Sequence, residues 1–197
     1  GIDIASLVRR AREAMSAAGF APSDLYKAAE RALELGSPIG VRWPALKRQI
    51  ELQEKECGLP IPVDAEGAEY MVVLSSIEII GLAEVSGALA RIFRHVGATW
   101  TLPSAGFEAT NIGVQIGSRE VAAELVSRIV AAAERLKVKT VVSPECGHAY
   151  SALRWEGPNL LGRRYAFEVM QVDELLERFR REGSLRLRGR DARRLTF

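Results

Sequence analysis

Cys146 and His148 are the side chains of this sequence best suited to carry out chemistry. They lie in the run Ser143-Pro144-Glu145-Cys146-Gly147-His148, which follows an apolar segment and begins a predicted helix. Backbone N–H groups and the dipole in a helix's first turn would favour a thiolate and lower the pKa of Cys146. His148 could then act as a base, so both are candidate catalytic residues. Because residues two apart on a helix do not face each other, an inert, half-buried cysteine stays an open alternative.

Metal and dinucleotide sites receive little support from the residue types. The chain has two cysteines, Cys57 and Cys146, and two histidines. A structural zinc site needs about four Cys or His ligands, and a cubane iron–sulfur cluster normally needs four thiolates. No G-x-G-x-x-G sequence follows the first predicted strand, so the dinucleotide-binding fingerprint is not there.

Charge and hydropathy argue against several classes of protein. The 27 basic and 25 acidic residues give a formal net charge of +2, whereas a nucleic-acid-binding domain usually carries a strong basic excess. No apolar stretch approaches the roughly 18 to 20 residues of a membrane span. Two widely separated cysteines favour a reducing compartment over a disulfide-stapled secreted domain. We therefore expect a cytoplasmic location, no nucleic-acid partner and no transmembrane segment.

The sequence predicts that Cys146 lies in an α/β module that follows an N-terminal helical arm. Residues 1–64 are predicted to form the arm, with three helices, and residues 65–197 the module. Repeated β-then-α units in the module predict a parallel β-sheet with helices on both faces, of the Rossmann or flavodoxin-like kind. The predicted strands are 70–74, 98–102, 139–142 and 165–169. A loop is expected at Gly157-Pro158, and 195–197 read as the start of a further strand in a longer protein.

Three turns at strand ends are expected to meet at one edge of this sheet. They are Leu74-Ser75-Ser76, Leu102-Pro103-Ser104-Ala105-Gly106 and the run from Ser143 to His148. Because the carboxyl ends of parallel strands share one edge, ligands of such sheets bind there. The sequence therefore predicts a candidate site built from these three turns.

The residues around the third turn resemble those of a known family. Residues 141–148, 154–158 and 167–169 together resemble the heterodisulfide-reductase-related iron–sulfur proteins, whose cysteine-rich modules carry a CCG motif. The nearest subgroup is the catalytic-type subunit of the membrane redox complex associated with dissimilatory sulfite reductase. The resemblance implies that the arm follows a ferredoxin-like domain, and that a second cysteine-rich module begins just after Phe197.

The resemblance implies cluster ligands at the three strand ends, where this sequence has lost most of the cysteines. The degenerate positions that would line the site are Ser75, Ser76, Ser104, Gly106 and Ser143. Cys146 is the one thiol retained there, and it would be a metal ligand only in the full-length protein. We therefore expect [4Fe-4S] clusters in the full-length protein and none stably bound to this chain alone.

The function that the resemblance implies is that of a domain in an electron-transfer or disulfide-reductase-type subunit. Its substrate would be a thiol, a disulfide or a sulfur carrier. Its partners would be the ferredoxin-like domain, the second cysteine-rich module and membrane redox-complex subunits, with a peripheral location on the cytoplasmic side of the membrane. Two alternatives remain: a non-catalytic structural or docking module, and a domain that binds a flavin or nucleotide at the strand ends.

Overall fold

Four parallel strands form the centre of the fold in a computed structural model that describes residues 2–189. They are β1 (Tyr70–Val72), β2 (Trp100–Thr101), β3 (Thr140–Ser143) and β4 (Glu168–Gln171), in the spatial order β2-β1-β3-β4. β1 pairs in parallel with both β2 and β3, and β3 pairs in parallel with β4. The predicted α/β fold with a parallel sheet is confirmed.

Helices precede the sheet and connect its strands. The N-terminal helices are α1 (Ile4–Ala17), α2 (Ser23–Leu35) and α3 (Trp43–Cys57). Those after β1 are α4 (Ser76–Gly81), α5 (Glu84–Val96), α6 (Ile112–Ile116), α7 (Arg119–Arg135), α8 (Gly147–Ser151), α9 (Gly157–Leu161) and α10 (Val172–Arg181). A π-helical turn, Ala152–Glu156, joins α8 to α9. Among residues 2–189, no helix is both long and apolar enough to cross a bilayer.

The two faces of the sheet are covered by different helices, because successive residues of a strand point to opposite faces. Tyr70 and Val72 belong to a core with side chains of α3, α5 and α10. Met71 and Val73 belong to a second core with side chains of α7, α8 and the π turn. Burial of β1 on both faces explains its continuous apolar run.

The N-terminal helices differ in how deeply they enter the fold. Leu46 and Ile50 of α3 are buried in the core shared with the sheet. Ala29 and Ala32 of α2 are buried against α6 and α7. α1 has no buried residue at all. The third predicted helix of the arm therefore helps to build the module's own core, and the first does not.

Local details differ from the sequence prediction at three places. The loop expected at Gly157-Pro158 is the start of α9, where proline is tolerated because the first turn of a helix needs no N–H bond from it. β4 begins three residues later than expected, and Tyr165 and Phe167 stack on each other before the strand starts. α4 was not predicted. Residues 195–197, expected to begin a strand, lie outside the described residues.

Candidate functional site

The direction in which the chain adds strands to the sheet changes between the neighbouring strands β1 and β3. The connection after β1 runs to β2 on one side, and the connection after β3 runs to β4 on the other side. In open parallel sheets this arrangement leaves a crevice at the carboxyl ends of the two central strands. We call this edge the rim and define it as residues 73–78, 108–110 and 143–148. Two hydrogen bonds tie it together, from Val73 N to the Val142 carbonyl (2.9 Å) and from Ala109 N to the Leu74 carbonyl (3.2 Å).

Ser75 lies at the rim as the N-cap of α4. Its hydroxyl accepts a hydrogen bond from the Glu78 N–H (3.1 Å), and its own N–H donates to Glu78 Oε2 (2.7 Å). This reciprocal pair is a capping box, which satisfies two backbone donors at a helix start. Ser75 therefore has a structural role that accounts for its residue type.

Ser76 lies at the rim in a buried hydrogen-bond network. Its hydroxyl is 2.6 Å from that of Ser37, and it also donates to the Glu108 carboxylate. Glu108 Oε2 accepts the Ser76 N–H (3.2 Å), and Oε1 accepts the Thr110 N–H (2.9 Å). Ser37, Ser76 and Glu108 are all buried. The network joins the end of α2, the start of α4 and the loop after β2.

Glu108 is the rim residue that the sequence reasoning missed. It lies in the loop after β2, where Ser104 and Gly106 were the predicted site residues. The one local signal is a charged residue between Phe107 and Ala109, both of which are buried. A carboxylate flanked by core residues needs hydrogen-bond donors, and here Ser76, 32 positions away, supplies its N–H and its hydroxyl.

Ser104 and Gly106 lie apart from the rim, against Asp64 and the backbone of α7. The N–H of Ser104 donates to Asp64 Oδ1 (3.0 Å), and its hydroxyl bonds the same carboxylate. Asp64 in turn pairs with Arg135 (2.9 Å) in the last turn of α7. Gly106 packs against the α7 backbone at Arg128. β2 is only two residues long, so the chain turns onto α7 before it can extend the rim.

Cys146 lies at the rim, half-buried, at the N-cap position of α8. The Ser143 hydroxyl donates to the Cys146 carbonyl (3.4 Å), which holds this turn against the end of β3. Burial raises the pKa of the Cys146 thiol, and the carboxylates of Glu145 and Glu78 raise it further. The N–H groups of Ala149 and His148 favour the thiolate but do not outweigh these effects. The expected lowering of the Cys146 pKa is therefore wrong, because the sequence showed neither the burial of the thiol nor the carboxylates near it.

His148 is exposed in the first turn of α8. Its effect on Cys146 comes through its backbone N–H. Among residues 2–189, no group of three or more His, Cys, Asp and Glu side chains is arranged to hold a metal ion. A metal at Cys146 would have to take its other ligands from outside this part of the chain.

Glu78 makes the rim acidic. It is buried, and among the described residues its Oε1 has no hydrogen-bond partner. Burial raises the pKa of Glu78, and the charges of Glu145 and Glu108 add to that shift. The carboxyl groups of Glu78, Glu108 and Glu145 therefore all lie at the rim, and negative charge there disfavours the phosphate of a flavin or nucleotide.

α4 carries its polar and apolar residues on unexpected sides. Ser76 and Glu78 are buried, whereas Ile77 and Ile80 are 55% and 48% exposed. Ile39, two residues from Ser37 in the network above, is also exposed. We call Ile39, Ile77 and Ile80 the rim patch. An apolar patch beside a buried polar network marks a surface suited to a partner.

Comparison of the chain with protein-family models, curated proteins and solved structures gives no match. Its function must therefore be inferred from the rim and its chemistry.

The raised pKa of Cys146 leads to a prediction for thiol reactivity. In a Cys57→Ser variant, which leaves Cys146 as the single thiol of the chain, we expect iodoacetamide alkylation to reach half its maximal rate above pH about 8.5, the ordinary value for cysteine. The rate is measured from pH 6 to 10 by mass spectrometry, with an unstructured cysteine peptide as the reference. If the rate for Cys146 reached half its maximum at a lower pH than the rate for the peptide, Cys146 would again be a candidate for an activated nucleophile.

Proposed function

We propose that this chain is a module of a heterodisulfide-reductase-type iron–sulfur protein that docks on a cluster-bearing module and holds no cluster of its own. In the full-length protein, [4Fe-4S] clusters would exchange electrons with a thiol, disulfide or sulfur-carrier substrate. That protein would be an oxidoreductase working with membrane redox-complex subunits on the cytoplasmic side of a membrane. The resemblance of the sequence around Cys146 supports the proposed family. The contacts and exposed residues at the rim support the proposed docking role.

The observation that carries the proposal is the state of the serines where the family has thiolates. Ser76 is fixed by Ser37 and Glu108, and Ser104 is fixed by Asp64 away from the rim. A cubane cluster normally needs four thiolates, and the rim offers Cys146 alone, in surroundings that favour the neutral thiol. The residues present therefore do not fit an iron–sulfur cluster, and hydrogen bonds have replaced ligands.

The rim patch supports a docking role for a module that holds no cluster. Burial of a side chain as large as isoleucine contributes about 1.5 to 3 kcal/mol, so Ile39, Ile77 and Ile80 favour a covered state. A partner seated on them would also shield the rim crevice from water. In the family, the module at this edge is the second cysteine-rich module, which makes it the proposed occupant.

The docking role is tested with a purified cysteine-rich module of a heterodisulfide-reductase-type protein, its cluster in place. We expect a complex in which all iron belongs to the partner. Ile77→Glu should weaken binding at least about tenfold, because it replaces a buried apolar contact with a charge. Isothermal titration calorimetry gives the affinity, and iron analysis of the separated components gives the cluster location.

Leu52→Glu is the matched control, since Leu52 is 50% exposed on α3, outside the rim patch. It should bind like the unmodified chain. Equal affinity of the Ile77 and Leu52 variants would remove the rim patch from the proposal. A stoichiometric, EPR-active cluster on this chain after incubation with iron and sulfide would overturn the claim that it holds none.

A further inference from the structure

α1 faces the body of the protein with its polar side. Ile4, Leu7, Val8 and Met15 are spaced to form one stripe at 100° per residue, and they are 49% to 69% exposed. The residues of α1 that are partly covered are instead Ser6, Glu13 and Ser16. A surface helix normally buries its apolar stripe in the core, so α1 is inverted.

The apolar stripe continues past the end of α1. Gly19, at φ +79°, donates its N–H to the Ser16 carbonyl (3.0 Å), and the Phe20 N–H donates to the Met15 carbonyl (2.9 Å). These two bonds form a Schellman motif, in which the residue after the glycine commonly contacts the helix residue five positions earlier. Phe20 is 72% exposed, so a further large apolar side chain follows the end of the stripe.

Specific contacts fix α1 in this orientation. Arg9 pairs with Glu156 (3.2 Å), and the Tyr26 hydroxyl donates to the Ser16 carbonyl (2.7 Å). Gly117 lies so close to α1 that a Cβ there would be 2.8 Å from the backbone of Arg12 and Glu13. Backbone contact at this distance requires glycine. The outward direction of the apolar stripe is therefore set by contacts on the opposite side of the helix.

Arginines border the stripe. At 100° per residue, Arg10 and Arg12 fall on its two edges, each about 100° from its centre, and both are exposed. Trp155, 61% exposed, lines a small cleft together with Arg9 and Arg12. Arginines beside an apolar stripe, with an indole close by, are the composition of a helix that lies in a lipid headgroup region.

A second copy of the chain fits this surface less well. One face of a helix roughly 21 Å long and 10 Å wide is small beside the ~800 Å² that each partner contributes to a standard protein interface. In an antiparallel pair of α1 helices packed on the stripe, each arginine-bearing edge would face the same edge of the other copy, which places like charges side by side. Anionic headgroups would instead neutralise Arg10 and Arg12.

We propose that α1 is a membrane-surface helix that docks this chain on anionic lipid. The stripe Ile4, Leu7, Val8, Met15 and Phe20 enters the boundary between headgroups and acyl chains, and Arg10 and Arg12 contact lipid phosphates. This surface is separate from the rim patch, so it stands or falls independently of the proposed function.

The test is sedimentation of the full chain with vesicles of phosphatidylcholine containing phosphatidylglycerol, beside vesicles of phosphatidylcholine alone. We expect stronger binding to the anionic vesicles and a blue shift of tryptophan emission. Leu7→Glu should weaken binding at least about tenfold, because one buried leucine contributes about 1.5 kcal/mol or more. Arg10→Gln and Arg12→Gln should each weaken binding to anionic vesicles about fivefold, the equivalent of about 1 kcal/mol per basic residue.

Leu52→Glu again serves as the control, with the same change of residue type at similar exposure on α3. It should bind vesicles like the unmodified chain. Equal binding to neutral and anionic vesicles, or no loss in the Leu7 variant, would overturn the proposal. A concentration-dependent dimer in analytical ultracentrifugation that the Leu7 variant abolishes, without vesicle binding, would assign the stripe to self-association and overturn it as well.

Discussion

Replacing Gly106 with alanine is expected to destabilise the protein by about 3 kcal/mol or more, from backbone strain and overpacking together. Gly106 has φ +68°, and a Cβ there would lie 2.4 Å from the Arg128 carbonyl oxygen and 2.7 Å from its carbonyl carbon. Both contacts are to the backbone of α7, which cannot turn aside as a flexible side chain would. Urea unfolding followed by circular dichroism measures the loss as a lower midpoint.

Gly97→Ala separates the two causes. Gly97 has a similar φ of +73°, and its Cβ position has nothing within 4 Å. That variant should lose only about 1 kcal/mol, the cost of a left-handed conformation without a collision. If the Gly106 and Gly97 variants lost equal stability, the close approach to α7 would have no energetic consequence.

The sequence resemblance and the structure give different explanations for the glycine at position 106. The resemblance treats Gly106 as the glycine of a cysteine motif and places it beside a cluster. In the fold it lets the loop after β2 pass against α7. A conformational requirement at φ > 0 and a close approach both select glycine, so residue type alone cannot tell the two roles apart.

Local signals predicted most of the helices and the positions of the strands. Asp3 caps α1 by accepting the Ser6 N–H (3.0 Å), and Asp is a residue type preferred at a helix start. Gly36, Gly58 and Gly97 end α2, α3 and α5 in the left-handed conformation. Caps, terminal glycines and apolar spacing act within a few residues of one another, so one sequence is enough to recognise them.

The rim could not be predicted in the same way, because its contacts join distant residues. Ser37 and Ser76 are 39 positions apart, and Ser76 and Glu108 are 32 apart. No periodicity connects such pairs. The raised pKa of Cys146 has the same origin, since both the burial of the thiol and the approach of Glu145 and Glu78 to it depend on the folded chain. The turns at Ser75-Ser76 and at Cys146 were predicted for this edge of the sheet. The buried carboxyl groups of Glu78 and Glu108 beside them were not.

Glu108→Ala is expected to destabilise the protein by roughly 3 kcal/mol, because each buried donor left unsatisfied costs about 1 to 3 kcal/mol. The Ser76 N–H and the Thr110 N–H each use one oxygen of the Glu108 carboxylate, and alanine supplies neither. The stability of Glu108→Gln should lie between that of the unmodified protein and that of Glu108→Ala. An amide keeps one acceptor oxygen, but it presents a donor to the other N–H. Urea midpoints of the three proteins give the order.

Glu145→Ala is the matched control, because Glu145 is an exposed carboxylate of the same rim. Surface substitutions of this kind usually change stability by no more than about 0.5 kcal/mol. A large loss at Glu108 with little at Glu145 would show that the rim is held by the network of Ser37, Ser76 and Glu108. Hydrogen exchange at the Ser76 and Thr110 amides should then accelerate in Glu108→Ala by more than in Glu145→Ala. Equal stability of the two variants would mean that Ser76 is not fixed by Glu108, and the proposal that hydrogen bonds take the place of a cluster ligand there would have to be abandoned.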